Sequence, residues 1–262
     1  MPTTPLVTAD EIATLGAIRL VHVAAKEDGP QSMIHVPIED WIAAARRSAS
    51  GFDDLGHWQA AIEALGVGHD AVSVVMDDGR MTEAARVWFI LQYFGLPAVV
   101  LNGGIAALTH PPAQEARHEG PLRLEAGSGP VGLAERRGLA GDLAGVQVLD
   151  ARTQAEHWGE DLRGNARGGH LPGAALLAHA DLLDGSLMKP ADQITELMAR
   201  AGIEAGKPVV THCNGGGRGA LAALAAVVAG QKDVRVYYLG FADWAADESC
   251  PVLRPEGADN NC

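Results

Sequence analysis

Apolar residues come in short β-branched runs separated by longer stretches of helical period, and this alternation recurs along the chain. Ile18-Arg19-Leu20-Val21-His22-Val23, Ala71-Val72-Ser73-Val74-Val75-Met76 and Ala98-Val99-Val100-Leu101 read as buried strands. Between the last two, Thr82 to Phe94 has helical period and stops at Gly95. Thr8, with Glu11 three residues on, predicts a short helix over 8–16; a polar loop, Ala24 to Met33, follows the first strand, and 41–47 and 57–65 carry further helical periods. The later part repeats the order: Val146 to Asp150 and Val209-Val210-Thr211 as strands, Ala220 to Ala229 as a buried helix closed by Gly230, then Val234 to Tyr238 as a strand before Gly240. Strand, turn, helix, glycine, strand, glycine occurring twice predicts two related α/β halves, each a small parallel sheet flanked by helices. Residues 111–141 are rich in Pro, Gly, charge and Ala with no sustained period and read as a linker between domains at 1–110 and 142–262.

Composition narrows the setting. At 262 residues and 47% hydrophobic the chain can bury the cores of two modest domains. A formal charge of -13 argues against a general binder of nucleic acid or of anionic membranes, so any anion site must be local. Met1 to Gly16 lacks a basic segment followed by an apolar one, and no apolar run reaches the ~18–20 residues that span a bilayer, so the expectation is a cytoplasmic protein. Three cysteines without Cys-x2-Cys spacing suggest neither a disulfide framework nor a metal site.

The candidate chemistry lies in Pro208 to Gly219, where the apolar run ends at Cys213 and Asn214-Gly215-Gly216-Gly217 leads to Arg218 and Gly219. A cysteine at a strand-to-helix turn faces the free N–H groups of a helix N-terminus, which favour the thiolate. Consecutive glycines allow the loop to curl with its N–H groups converging, and Arg218 either adds positive charge or braces the loop through its carbonyls. His212 stands beside the nucleophile as a tuning or structural group. Cys250 and Cys262, in a tail containing Pro, Asp and Asn, are assigned no function.

Leu149-Asp150-Ala151-Arg152, Gly169-His170-Leu171-Pro172-Gly173-Ala174 and the Cys213 loop, with Asp77-Asp78-Gly79 in the first half, resemble the tandem-domain rhodanese sulfurtransferases, the thiosulfate and 3-mercaptopyruvate enzymes. The resemblance covers nearly the whole chain. It implies two rhodanese-like domains, the first non-catalytic with Asp where the second carries Cys. It further implies that Cys213 takes a sulfane sulfur from a small-molecule donor as a persulfide and passes it to a thiophilic acceptor, cyanide or a thiol, with no metal or organic cofactor.

The loop departs from both familiar subtypes. Gly215 stands where the mercaptopyruvate enzymes have a serine and the animal thiosulfate enzymes a lysine, and Glu156 stands where the mercaptopyruvate enzymes have an arginine for the substrate carboxylate. Arg152, Arg163 and Arg167 are the candidates for donor binding, and thiosulfate, mercaptopyruvate and a protein persulfide stay open as donors. A relay module that exchanges sulfur only with a protein partner is the alternative from another class. A cysteine phosphatase is a third, disfavoured because four residues rather than five separate Cys213 from Arg218.

Overall fold

The computed structural model describes residues 4–24, 30 and 32–254. Cys262 and most of the predicted loop between Ala24 and Met33 lie outside the described residues. The chain divides into two compact units, Met1–Gly132 with Asp184–Met188, and the remainder.

The first unit holds β1 (Leu6–Val7), β2 (Ile18–His22), β3 (Ile34–His35), α1 (Ile38–Ala45), α2 (Leu55–Leu65), β4 (Val72–Met76), α3 (Thr82–Tyr93) and β5 (Ala98–Leu101). Its five-stranded sheet has the order β1-β5-β4-β2-β3, parallel at each junction. Every residue of β2 is buried, as the apolar run requires of a strand covered on both faces. Leu20, Val74 and Val99 fill one side of the core, and Trp41, Phe52, Trp58 and Phe94 pack ring to ring elsewhere in the unit. The predicted helix over 8–16 is a 3-10 turn, Asp10–Thr14. The Glu11 carboxylate accepts from Thr8 N at 2.8 Å and Thr8 Oγ1 at 3.0 Å, a local arrangement that tightens one turn but drives no longer helix.

After β6 (Val131–Leu133), the second unit holds α4 (Arg136–Gly141), β7 (Gln147–Asp150), α5 (Gln154–Trp158) and β8 (Ala175–Leu176). After the two-stranded sheet of β9 (Leu183–Asp184) and β10 (Leu187–Met188), whose residues from Asp184 on belong to the first unit, come α6 (Ala191–Arg200), β11 (Val209–His212), α7 (Gly217–Val228), β12 (Val234–Tyr237) and α8 (Gly240–Ala246). β6 and α4 thus occupy part of the stretch 111–141. The sheet order is β6-β12-β11-β7-β8, with β7–β8, β7–β11 and β11–β12 parallel. Replacing each strand of the first unit by its counterpart reproduces this order, so the two halves share one topology. No helix among the described residues is long and apolar enough to cross a membrane.

Strand β11 is the middle of its sheet, with His212 level with Asp150 on one side and Tyr237 on the other. A parallel sheet places the carboxyl ends of its strands at one edge, and Cys213 is the first residue past the end of this central strand. Helix α7 starts at Gly217 rather than at Ala220, so Gly217 and Gly219 form its first turn. Of the glycines in the loop, Gly216 has φ +97° and does the turning from its place as N-cap. Gly219 serves closeness instead: a Cβ there would lie 3.1 Å from the His212 backbone, and Thr211 Oγ1 donates to its carbonyl at 2.8 Å.

Candidate active site

Cys213 is buried, with 2% of its surface exposed, between the end of β11 and the start of α7. Its carbonyl accepts from Phe241 N at 2.7 Å, and that of Asn214 accepts from Ala242 N at 3.2 Å, so the first amides of α8 hold the loop backbone. Asn165 Nδ2 donates to Asn214 Oδ1 at 2.7 Å and ties the loop to the segment after α5. Gly240, at φ +65°, makes the α8 contact possible, because a Cβ there would overlap the Cys213 carbonyl oxygen. Gly240 and Phe241 were not among the candidates read from sequence. The available signal was the recurrence of glycine after the last strand of each half.

Arg218, in the first turn of α7, neither stands as a free charge nor caps the loop carbonyls. Its Nη1 donates to Glu156 Oε2 at 2.6 Å and its Nη2 to Glu156 Oε1 at 2.7 Å, a two-pronged ion pair. Burial works against its charge, but the hydrogen bonds to Glu156 and that carboxylate's negative charge raise its pKa above the ordinary value. Burial would raise Glu156 in turn. The Arg218 hydrogen bonds and charge, with bonds from Thr153, outweigh it and bring the carboxyl from 4.5 to about 2. Glu156 is fixed by the start of α5: Thr153 and Glu156 form a capping box in which each side chain bonds the other's backbone N–H. The Thr-x-x-Glu pattern was legible in the sequence; its partner across the sheet was not.

The four other candidates divide sharply. Arg152 is 1% exposed and fully engaged: Nε and Nη2 bind Asp150 at 2.7–3.1 Å, Nη2 also donates to Gly169 O at 2.8 Å, and its guanidinium carbon lies 3.9 Å from the centre of the Phe241 ring. Arg167 donates to the carbonyls of Trp244, Ala245, Asp247 and Cys250 at 2.5–3.1 Å, which fastens the C-terminal end of α8. Arg163 sits at the rim with 58% of its side chain exposed, its Nε 3.9 Å from Glu156 Oε1. His212 is wholly buried. Its Nδ1 lies 3.2 Å from the Cys213 carbonyl oxygen, while its Nε2 makes no hydrogen bond and stands 3.9 Å from Asp150 Oδ2.

Burial lowers the His212 pKa to about 4, overriding the attraction of Asp150, so the ring beside Cys213 is neutral through the physiological range. Burial opposes the charge of Asp150 as well. There the Arg152 hydrogen bonds and permanent charge, with the His157 bond at 2.9 Å, hold the carboxyl far below the ordinary value. The ionised Asp150 organises the floor of the site, and Arg218 with Glu156 forms the charged pair next to the thiol.

Fold and site together define a class: a tandem α/β protein with a buried cysteine at the carboxyl end of a central parallel strand, where a helix begins. Residues 137–247, from α4 to α8, match the Rhodanese-like domain family. The 3-mercaptopyruvate sulfurtransferase of Escherichia coli K12 is 28% identical over 202 residues, 73% of this chain and 71% of its own. The thiosulfate sulfurtransferase of Gallus gallus is 26% identical over 230 residues, 80% of this chain and 78% of its own. The crystal structure of SseA from Escherichia coli, a protein described with the rhodanese fold, superposes with a TM-score of 0.68 at 22% identity, covering 91% of this chain and 98% of that one. Residues 137–247 thus carry a rhodanese-like domain, and the chain as a whole is similar to the sulfurtransferases.

Proposed function

We propose that the second unit is the catalytic domain of a sulfurtransferase that carries sulfane sulfur on Cys213. In the first half-reaction the Cys213 thiolate attacks the outer sulfur of the donor. The new S–S bond forms as the donor's bond to that sulfur breaks, and the leaving group departs with the electron pair: sulfite from thiosulfate, or pyruvate after protonation of the carbon left by 3-mercaptopyruvate. In the second, an acceptor, cyanide or a thiol, attacks the terminal persulfide sulfur and regenerates the Cys213 thiolate. The observation that carries this reading is the position of Cys213 in front of the first turn of α7, where N–H groups lack intrahelical partners and stabilise the negative sulfur of a persulfide. Arg218, in the first turn of the same helix and paired with Glu156, lies close enough to Cys213 to feel its charge. Thiosulfate and 3-mercaptopyruvate, the substrates in the names of the relatives, are the donors to test first.

Incubation with either donor is expected to add the mass of one sulfur atom to the peptide containing Cys213, and cyanide is expected to remove it as thiocyanate. Sulfur found only on Cys250, or turnover surviving Cys213→Ser, would refute the reading. Arg218→Ala is expected to slow loading about tenfold or more, through loss of a charged hydrogen bond in a buried site.

A further inference from the structure

We propose that Glu156 is the specificity-determining residue for the sulfur donor: by occupying Arg218 it favours alkyl persulfides with an uncharged carrier over the thiosulfate dianion. The inference rests on the Cys213 chemistry proposed above.

The geometry leaves Arg218 little to offer an incoming anion. Both terminal nitrogens of its guanidinium are bound to Glu156, which is itself 2% exposed. Glu156 cannot swing aside cheaply, because its Oε2 also accepts from Thr153 N at 3.1 Å and Thr153 Oγ1 at 3.0 Å and so caps α5. Arg152 and Arg167 are committed to Asp150 and to backbone carbonyls. The remaining candidate, Arg163, faces the same Glu156 carboxylate. A dianion moving toward Cys213 must shed water in exchange for a pair whose charges already cancel.

An alkyl persulfide avoids that cost, since its carrier brings no oxyanion. The Cys213 thiolate attacks the outer sulfur of R–S–SH, the S–S bond of the donor breaks, and RS⁻ leaves with the electron pair. The outer sulfur's proton passes to RS⁻, giving RSH and a Cys213 persulfide anion. Sulfur oxidation state is only redistributed, and no further reagent is needed.

The test uses the full chain and reads sulfur loading of Cys213 by mass spectrometry, with thiosulfate and with the persulfide of 2-mercaptoethanol as donors. In Glu156→Gln the ratio of loading rates, thiosulfate over alkyl persulfide, is expected to rise about tenfold, since the amide keeps a hydrogen-bond acceptor for Arg218 but releases its charge. An unchanged ratio with both donors loading Cys213 overturns the inference and leaves the Cys213 chemistry standing. Failure of both donors to load the wild-type chain overturns the two together. The wild-type chain gives a reading that does not depend on the variant's folding: raising salt from about 0.02 to about 0.5 M should leave thiosulfate loading level or faster. A fall of about threefold or more would show an unpaired cation drawing in the dianion, and overturns the inference.

Discussion

The two units build the same turn and fill it differently. In each, the central strand ends one residue before the position of interest: β4 at Met76 before Asp77, β11 at His212 before Cys213. In each, a glycine at φ +65° follows the next strand, and the residue after it donates its N–H to the carbonyl of that position: Ile105 N to Asp77 O at 2.8 Å, Phe241 N to Cys213 O at 2.7 Å. The side chains then part company. The Asp77 carboxylate accepts from the backbone N–H groups of Gly79, Met81, Glu83 and Ala84 at 2.9–3.2 Å and plugs the start of α3. Cys213 brings no such acceptor to the start of α7. The difference teaches that the first half fills the turn with its own carboxylate, whereas on the proposed reading the second leaves it for the sulfur that Cys213 would carry.

The largest expected effect tests this division directly. Cys213→Ser should abolish sulfur loading, a loss of about 10³-fold or more, whereas Asp77→Ser should still permit loading of Cys213. Equal loss in both variants, followed by mass spectrometry and thiocyanate release, would break the comparison. Next come the paired glycines. Gly240→Ala and Gly104→Ala each force a Cβ onto the carbonyl oxygen of the key residue at positive φ, and each should cost about 2–4 kcal/mol in denaturant titrations. A tolerated Gly104→Ala beside a damaging Gly240→Ala would show that the first turn is looser.

Acid titration separates the halves by sign. Glu156, lowered from 4.5 to about 2, contributes stability that is complete above its ordinary value and is lost as pH falls toward 2. Asp77 is raised above 3.8 by burial, against its four N–H bonds, so its contribution is present below the ordinary value and lost as pH rises through its folded value. Glu156→Gln should therefore flatten the acid side of a melting-temperature profile, and Asp77→Asn should remove a decline above it. The smallest effect concerns His212. With its pKa at about 4, the pH profile of Cys213 loading should show no histidine step near 6.5; such a step, erased by His212→Asn, would contradict a neutral ring.

Much of the turn is legible in the order of residues along the chain. The β-branched run into Cys213 and the apolar helix after it were legible as a strand-to-helix turn, and the structure has strand Val209–His212 and helix Gly217–Val228 there. The start of α7 was misplaced by three residues, because glycine's poor helix propensity argues for a loop, and the close approach of Gly219 to β11 overrides propensity. Helix α6 also escaped notice, although Pro190 precedes it and its buried residues Ile194 and Met198 lie one turn apart. The arginines show the deeper limit. Arg152, Arg163, Arg167 and Arg218 look alike as letters, yet their partners are a neighbouring carboxylate, a rim position, four carbonyls and a glutamate 62 residues away. Spacing along a chain does not record such long-range partners.

Helix α8 has seven residues, too few to persist alone in water, and it is tied at both ends. Its first amides hold the carbonyls of Cys213 and Asn214, and its last turn is gripped by Arg167. Helix and Cys213 loop are therefore expected to open or close as one cooperative unit. In hydrogen-exchange terms, protection of the Phe241 amide is a gauge of how long the Cys213 loop keeps its shape between one local unfolding event and the next.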